Sequence, residues 1–289
     1  MIYDCFTFFD ELELLELRLH ELGDVVDKFV WVEATKTHSN KSKPLHYQEN
    51  RVLFQAFHDQ IIHVVVDDMP DSNDSWVLEN FQRKCIARGL VNCRPEDFIL
   101  VSDLDETPRA TTVAKVSREW QSSDGFFSNL ARNTLNARGF KRIFHRRGFR
   151  RRLRKNHPFI LKFEQVIYRH FVNCECVKPH LKYGTRMLRF QDFSCAEEIR
   201  HSGYKTVHDG GWHFTFMGGP ERISQKLTAY AHQERNRLQF TDVKVINDQI
   251  AGGAPVGEMD YQLKIVPLDE TFPRYLLEHP GKFSSWIKE

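Results

Sequence analysis

The sequence predicts an α/β protein with a mostly parallel central sheet covered by helices on both faces. Two observations carry that reading. Nearly continuous apolar runs recur in the first 120 residues, at 2–9 (IYDCFTFF), 28–33 (KFVWVE), 61–66 (IIHVVV) and 98–102 (FILVS). Segments of helical periodicity stand between them. Strands that are apolar at successive positions belong to sheets buried on both faces, and strand–helix alternation is the mark of parallel crossovers.

The elements follow in order. After the first strand, Asp10 is expected to cap the helix "ELELLELRLHEL", with Glu13 three residues on completing a capping box. Leu12, Leu15, Leu19 and Leu22 give it an apolar stripe. The strand 28–33 leads into the polar loop "TKTHSNKSKP", a helix expected from Tyr47 to Phe57, and the strand 61–66. An acidic turn, "DDMPDSND", precedes a helix expected from Ser75 to Arg88 and the strand 98–102. Ligands of such sheets bind beyond the carboxyl ends of the strands, so residues 1–120 read as a nucleotide-binding half. The remainder, 121–289, is less regular, with strands expected at 163–171 and 184–190 and a helix at 222–238. No repeat or low-complexity linker separates the halves, and the 289 residues read as one domain.

Composition narrows the function classes. A formal charge of +2 does not advertise a polyanion partner for the whole chain. No apolar run is long enough to span a bilayer, and Met1 leads directly into "IYDCFTFFDELELL" without a basic leader, so a cytoplasmic protein is expected. The six cysteines are sparse and lack paired C-x-x-C spacing, as in reduced structural thiols. One segment stands apart: residues 138–155 hold ten Lys or Arg among eighteen. That run suits a solvated loop, an anionic membrane surface or phosphorylated lipid-linked acceptor, or nucleic acid, although no nucleic-acid reading module accompanies it.

The stretch "ILVSDLDETPRA" (99–110) runs a buried strand into Asp103, Asp105 and Glu106. Carboxylates clustered at a strand end are explained by a shared cation: Mg²⁺ or Mn²⁺ takes a few carboxylates and completes its shell with phosphate oxygens and water. The alternatives are a solvated turn before Pro108, or the D-x-D-x-T signature of a phosphatase with Asp103 as nucleophile. The phosphatase motif belongs on the first strand of its core, whereas about a hundred residues precede it here.

Four blocks in order, "YDCFTFFDELELLELRLHELGDVVDKFVWVEATKTHSNKSKPL" (3–45), "SWVLENFQRKCIARGL" (75–90), "DFILVSDLDETPR" (97–109) and "GGWHFTFMGGPERISQKLTAYAHQE" (210–234), together resemble glycosyltransferase family 17. The resemblance implies a GT-A-type nucleotide-sugar-binding fold and inverting transfer from a UDP-sugar, typically UDP-GlcNAc, to a hydroxyl of a glycan acceptor, with Mn²⁺ or Mg²⁺. Thr107 stands where the family's "DEIP" has isoleucine. No counterpart of the anchor and stem of the animal members is expected, so the donor chemistry is expected to carry over and the acceptor, a glycan or lipid-linked glycan at the inner membrane face, stays open. A basic binding protein on a degenerate transferase fold is the alternative function.

The resemblance also implies roles. Asp103 and Asp105 face the metal and diphosphate, with Asp105 the direct ligand and Glu106 behind it or on the acceptor side. Glu221, after Gly218, Gly219 and Pro220, is the candidate base, with Asp209 next in line; a helix-start glutamate favoured by the macrodipole is the plain alternative. His213, in preference to His232, is the candidate third metal ligand, against an ordinary core histidine. Trp212 stacks on a sugar or lies in the core. Glu33 and Thr35, at the end of the second strand, meet the nucleotide, and Arg83 reaches a phosphate or lies on a solvated helix face.

Overall fold

The protein's structure is a computed structural model that describes residues 1–133, 159–179, 181–203, 205–254, 256 and 261–288. The basic run at 138–155 lies outside the described residues.

In chain order the first half comprises β1 (Ile2–Phe8), α1 (Leu12–Leu22), β2 (Lys28–Ala34), β3 (Ile61–Val66), α2 (Ser75–Lys84) and β4 (Phe98–Asp103). Then follow β5 (Glu106–Pro108), α3 (Ala110–Asn133), β6 (Leu161–Arg169), β7 (Cys174–Lys178) and β8 (Leu181–Arg189). The chain ends with α4 (Ala196–Arg200), β9 (Lys205–Val207), β10 (Gly211–Thr215), α5 (Gly219–Ala229), α6 (Val243–Ala251), β11 (Gln262–Ile265) and α7 (Arg274–Glu278).

One sheet runs in the order β11-β7-β6-β8-β4-β1-β2-β3, with β9 and β10 also on β6 and β5 on β10. Its first four strands, β3-β2-β1-β4, are all parallel, as their apolar runs predict. The second half is mixed, which corrects the expectation of a mostly parallel sheet. Strand β8 runs antiparallel to both β4 and β6, and β7 and β11 add antiparallel edges. Strands β6 and β7 are joined by only a few residues, and a connection that short accepts an antiparallel neighbour but no crossover.

Both sheet faces are buried. Phe6, Phe29, Trp31, Phe98 and Leu100 share one core with Leu15, Leu19 and Leu22 of α1. Cys5, Val30, Val32, Ile99 and Val101 share the other with Leu78 of α2 and Ile199 of α4. Each large apolar side chain so enclosed contributes about 1.5–3 kcal/mol relative to exposure. Among the described residues no helix is long and apolar enough to cross a membrane.

Two local expectations fail. The helix expected at 47–57 breaks after His46–Glu49 into a 3-10 segment at Arg51–Gln60, leaving Val52 and Leu53 exposed. At α1 no capping box forms; Glu13 instead takes a two-toothed ion pair from Arg222 on α5, at 2.6 and 2.8 Å. A long-range guanidinium partner has displaced a local backbone contact.

Candidate active site

The carboxyl ends of β1, β2 and β4 open into a cleft of about 490 Å³. Its centre is the acidic turn between β4 and β5, and that turn is clamped from beneath. Arg18, on α1, is fully buried, and its Nε and Nη2 donate to the two oxygens of Asp4, both at 2.7 Å. Nη2 also donates to Ser102 Oγ, and Nη1 donates to the carbonyls of Asp103, Leu104 and Glu106 at 2.9–3.0 Å. Three turn carbonyls thus share one cationic donor, and that of Glu106 also accepts from Thr185 Oγ1. The turn is fixed, with Asp103 and Asp105 lining the cleft and Glu106 buried behind them.

Each of these acids meets cations. Asp103 Oδ1 lies 3.1 Å from Arg83 Nη2 and Oδ2 2.6 Å from Arg200 Nη2. Asp105 Oδ2 lies 3.0 Å from Lys226 Nζ, which also holds Glu11 at 3.1 Å, and Oδ1 lies 3.5 Å from His213 Nε2. Glu106, wholly buried, pairs with Lys182 at 2.8 Å and with Arg200. Burial alone would raise these carboxyls. For Glu106, Arg200 and Lys182 offset it and hold the group well below the carboxylate range; for Asp105, Lys226 and His213 do the same. Asp103 is held down by Arg200 and Arg83. Burial and the nearby Lys182 lower His213, which favours the neutral imidazole with a nitrogen lone pair to offer.

The sequence-predicted residues divide. Asp103, Asp105, His213 and Arg83 line the cleft, with His232 at its exposed rim. Arg83 reaches Glu79, Asp103 and Glu197 rather than standing on a solvated helix face. Glu33 is buried behind the cleft, where its carboxylate serves Lys43, Tyr47 N and His63; Thr35 bonds Val66 O. Neither lines the cleft, whose wall here is formed by the next residues, Lys36, Thr37 and His38.

Three further candidates lie away from the cleft. Trp212 is 2% exposed in the core, its Nε1 bonded to Thr271 O and its ring covered by Arg109, so no face is left for a sugar. Asp209 is 72% exposed and pairs with Arg109, away from the cleft. Gly218 and Gly219 do adopt positive φ (89° and 86°), but the helix they start turns Glu221 outward to a separate shallow groove with Asp242 and Lys244. Glu221→Gln is accordingly expected to keep any transferase turnover within tenfold of wild type, measured as UDP release.

Sequence reasoning missed Arg18, Lys182, Arg200 and Lys226. Only Arg18 carried a signal: it lies three residues after Leu15 and four after Leu14, on the apolar stripe of α1. Asp10 was read as a cap, yet burial and the neighbouring Glu11 push its carboxyl up to about 7 from 3.8. A raised folded value means that ionised Asp10 costs stability as pH climbs from about 4 through 7. Asp10→Asn should therefore melt higher than wild type at pH 8 and nearly with it at pH 4.

A divalent ion fits part of this donor set. Asp105 Oδ1 and His213 Nε2 face each other, and His213 Nδ1 is buried without a hydrogen-bond partner. Both Asp103 oxygens are occupied by guanidinium groups, so Asp103 does not fit as a ligand. No group of three or more His, Cys, Asp or Glu side chains suited to a metal occurs among the described residues. Two protein ligands with phosphate and water completing the shell is the usual arrangement for Mg²⁺.

Comparison with known proteins locates the chain. Residues 1–129, which include β1 to β5 and the acidic turn, match the model of "Glycosyltransferase family 17". The beta-1,4-mannosyl-glycoprotein 4-beta-N-acetylglucosaminyltransferases of Homo sapiens and Rattus norvegicus are each 33% identical over 106 residues, and that of Mus musculus 32%. The match covers 34% of this chain and 20% of each relative, about a fifth of their length. No solved structure matches. The likeness to glycosyltransferase family 17 thus lies in residues 1–129, the segment that builds the parallel sheet and the acidic turn.

Proposed function

We propose that the protein is an N-acetylglucosaminyltransferase that moves GlcNAc from UDP-GlcNAc to a hydroxyl of a glycan acceptor, with inversion at the anomeric carbon. The observation that supports this most is the acidic turn, held by Arg18 at the mouth of a parallel sheet, within the segment that matches family 17. Asp105 and His213 would hold a Mn²⁺ or Mg²⁺ ion, which when bound supplies Lewis-acid stabilisation of the nucleotide leaving group.

The chain's own residues do the remainder. Lys226 neutralises Asp105 and Glu11, and with Lys182 and Arg200 it surrounds the position of growing diphosphate charge with cations in a partly enclosed cleft. Arg83 and Arg200 fix Asp103, so Asp103 orients the cleft wall instead of attacking phosphorus. A phosphatase nucleophile needs a free carboxylate oxygen, and Asp103 has none. Inversion requires a base for the acceptor hydroxyl; the carboxylates lining the cleft for that role are Glu11, Glu79 and Glu197, in place of Glu221 and Asp209. The acceptor is a glycan, free or lipid-linked, entering from the open side.

The test is UDP release with Mn²⁺, a panel of UDP-sugars and glycan acceptors. Acceptor-dependent release greatest with UDP-GlcNAc and stopped by EDTA is expected. Absence of release from every UDP-sugar overturns the proposal.

A further inference from the structure

Arg169 ends β6, paired with Thr215 at the end of β10, and its side chain lines the cleft. Its guanidinium lies 4.6 Å from the Tyr261 ring and 5.6 Å from Phe216, whose ring also has Lys226 Nζ at 6.0 Å. Two cations therefore flank one aromatic ring. Their situations differ. Lys226 is occupied by Asp105 and Glu11, Lys182 by Glu106, Arg200 by Asp103 and Glu106, and Arg83 by three acids.

Arg169 pairs with no carboxylate among the described residues. Its Nε and Nη1 are buried and have no hydrogen-bond partner at all. Buried guanidinium N–H groups without acceptors forfeit their hydration with nothing in return, a state that native structures avoid unless something else supplies the acceptors. The backbone beyond it is also constrained. His170 holds φ of 67°, unusual for a residue with a Cβ, and its Nε2 lies 3.0 Å from Tyr261 Oη, on the ring that stacks on Arg169. The guanidinium is thus held against two aromatic rings at the cleft wall, a planar donor group suited to a phosphate oxyanion.

We propose that Arg169 is a phosphate-binding residue, its guanidinium donating to phosphate oxygens of a molecule in the cleft. Two sources share that chemistry: the diphosphate of the nucleotide sugar, and a phosphate on the acceptor. The choice of source rests on the proposed transferase activity; the anion site itself does not.

The test compares wild type with Arg169→Met and Arg169→Lys by calorimetric titration in three arms: UDP, inorganic pyrophosphate, and inorganic phosphate added to UDP-saturated protein. Arg169→Met keeps the aromatic contacts and removes unpaired buried donors, so its melting temperature should equal or exceed that of wild type. Its affinity should fall at least tenfold in one arm, and Arg169→Lys should restore part of the loss. A loss in the UDP and pyrophosphate arms identifies the donor diphosphate; a loss confined to the third identifies an acceptor phosphate. Unchanged affinities in all three arms overturn the proposal. If wild type binds pyrophosphate through Arg169 but not UDP, the anion site stands and the nucleotide-sugar reading fails; if wild type binds no phosphate compound, both fall. Should Arg169→Met not fold, Arg169→Lys alone decides, with unchanged binding counting against the proposal.

Discussion

Arg18→Met should destabilise the protein by about 3–5 kcal/mol, the cost of breaking a fully buried ion pair by removing one partner. Arg18 and Asp4 are both wholly buried, so the variant leaves a carboxylate enclosed without a counter-ion and three turn carbonyls without their donor. Chemical denaturation reads the loss directly. The double variant Arg18→Met with Asp4→Leu should recover most of it, since replacing both partners by apolar groups is often close to neutral. Catalytic turnover should not recover with it, because the carbonyls of Asp103, Leu104 and Glu106 remain without the clamp that sets the acidic turn. A double variant with wild-type turnover would show that Arg18 serves stability alone.

The second large effect concerns turnover. Asp105→Asn should lower UDP release from UDP-GlcNAc by about 10²–10³-fold, the usual range for losing one well-placed electrostatic group. Some stability should be lost, since Lys226 and His213 favour the ionised carboxylate, but less than for Arg18, because Lys226 keeps its contact with Glu11. A modest loss of stability with collapsed turnover distinguishes Asp105 from Arg18. Asp103→Asn should cost stability as well, because Arg83 and Arg200 both lose charge from a shared partner.

The parallel half of the fold was legible in the sequence because each of its strands is buried on both faces and so appears as an unbroken apolar run. The mixed half was less so: β6 alternates buried and half-buried positions and pairs with four other strands, a topology no local pattern encodes. Likewise the acids of the turn were visible as three carboxylates at one strand end. The cations that surround them come from Arg83, Lys182, Arg200 and Lys226, scattered over more than 140 residues, and meet only because β4, β8, α2, α4 and α5 converge there.

The glycine-rich loop teaches a different lesson. Positive φ at Gly218 and Gly219 was readable from residue type, but which way Glu221 points depends on how α5 docks. That docking is set by Arg222 pairing with Glu13 and by Lys226 reaching Asp105, contacts about 120–210 residues apart in sequence. Glu221 and Lys226, five residues apart on α5, face different ways, so the docking that delivers Lys226 into the cleft turns Glu221 to the separate groove.

The most direct measurement is a crystal structure of the protein with UDP-GlcNAc and Mn²⁺. The account predicts the nucleotide sugar in the cleft, with Mn²⁺ bound by Asp105 and His213, and the diphosphate among Lys182, Arg200 and Lys226. Nucleotide bound elsewhere on the molecule, or a cleft that stays empty at saturating UDP-GlcNAc, would contradict it.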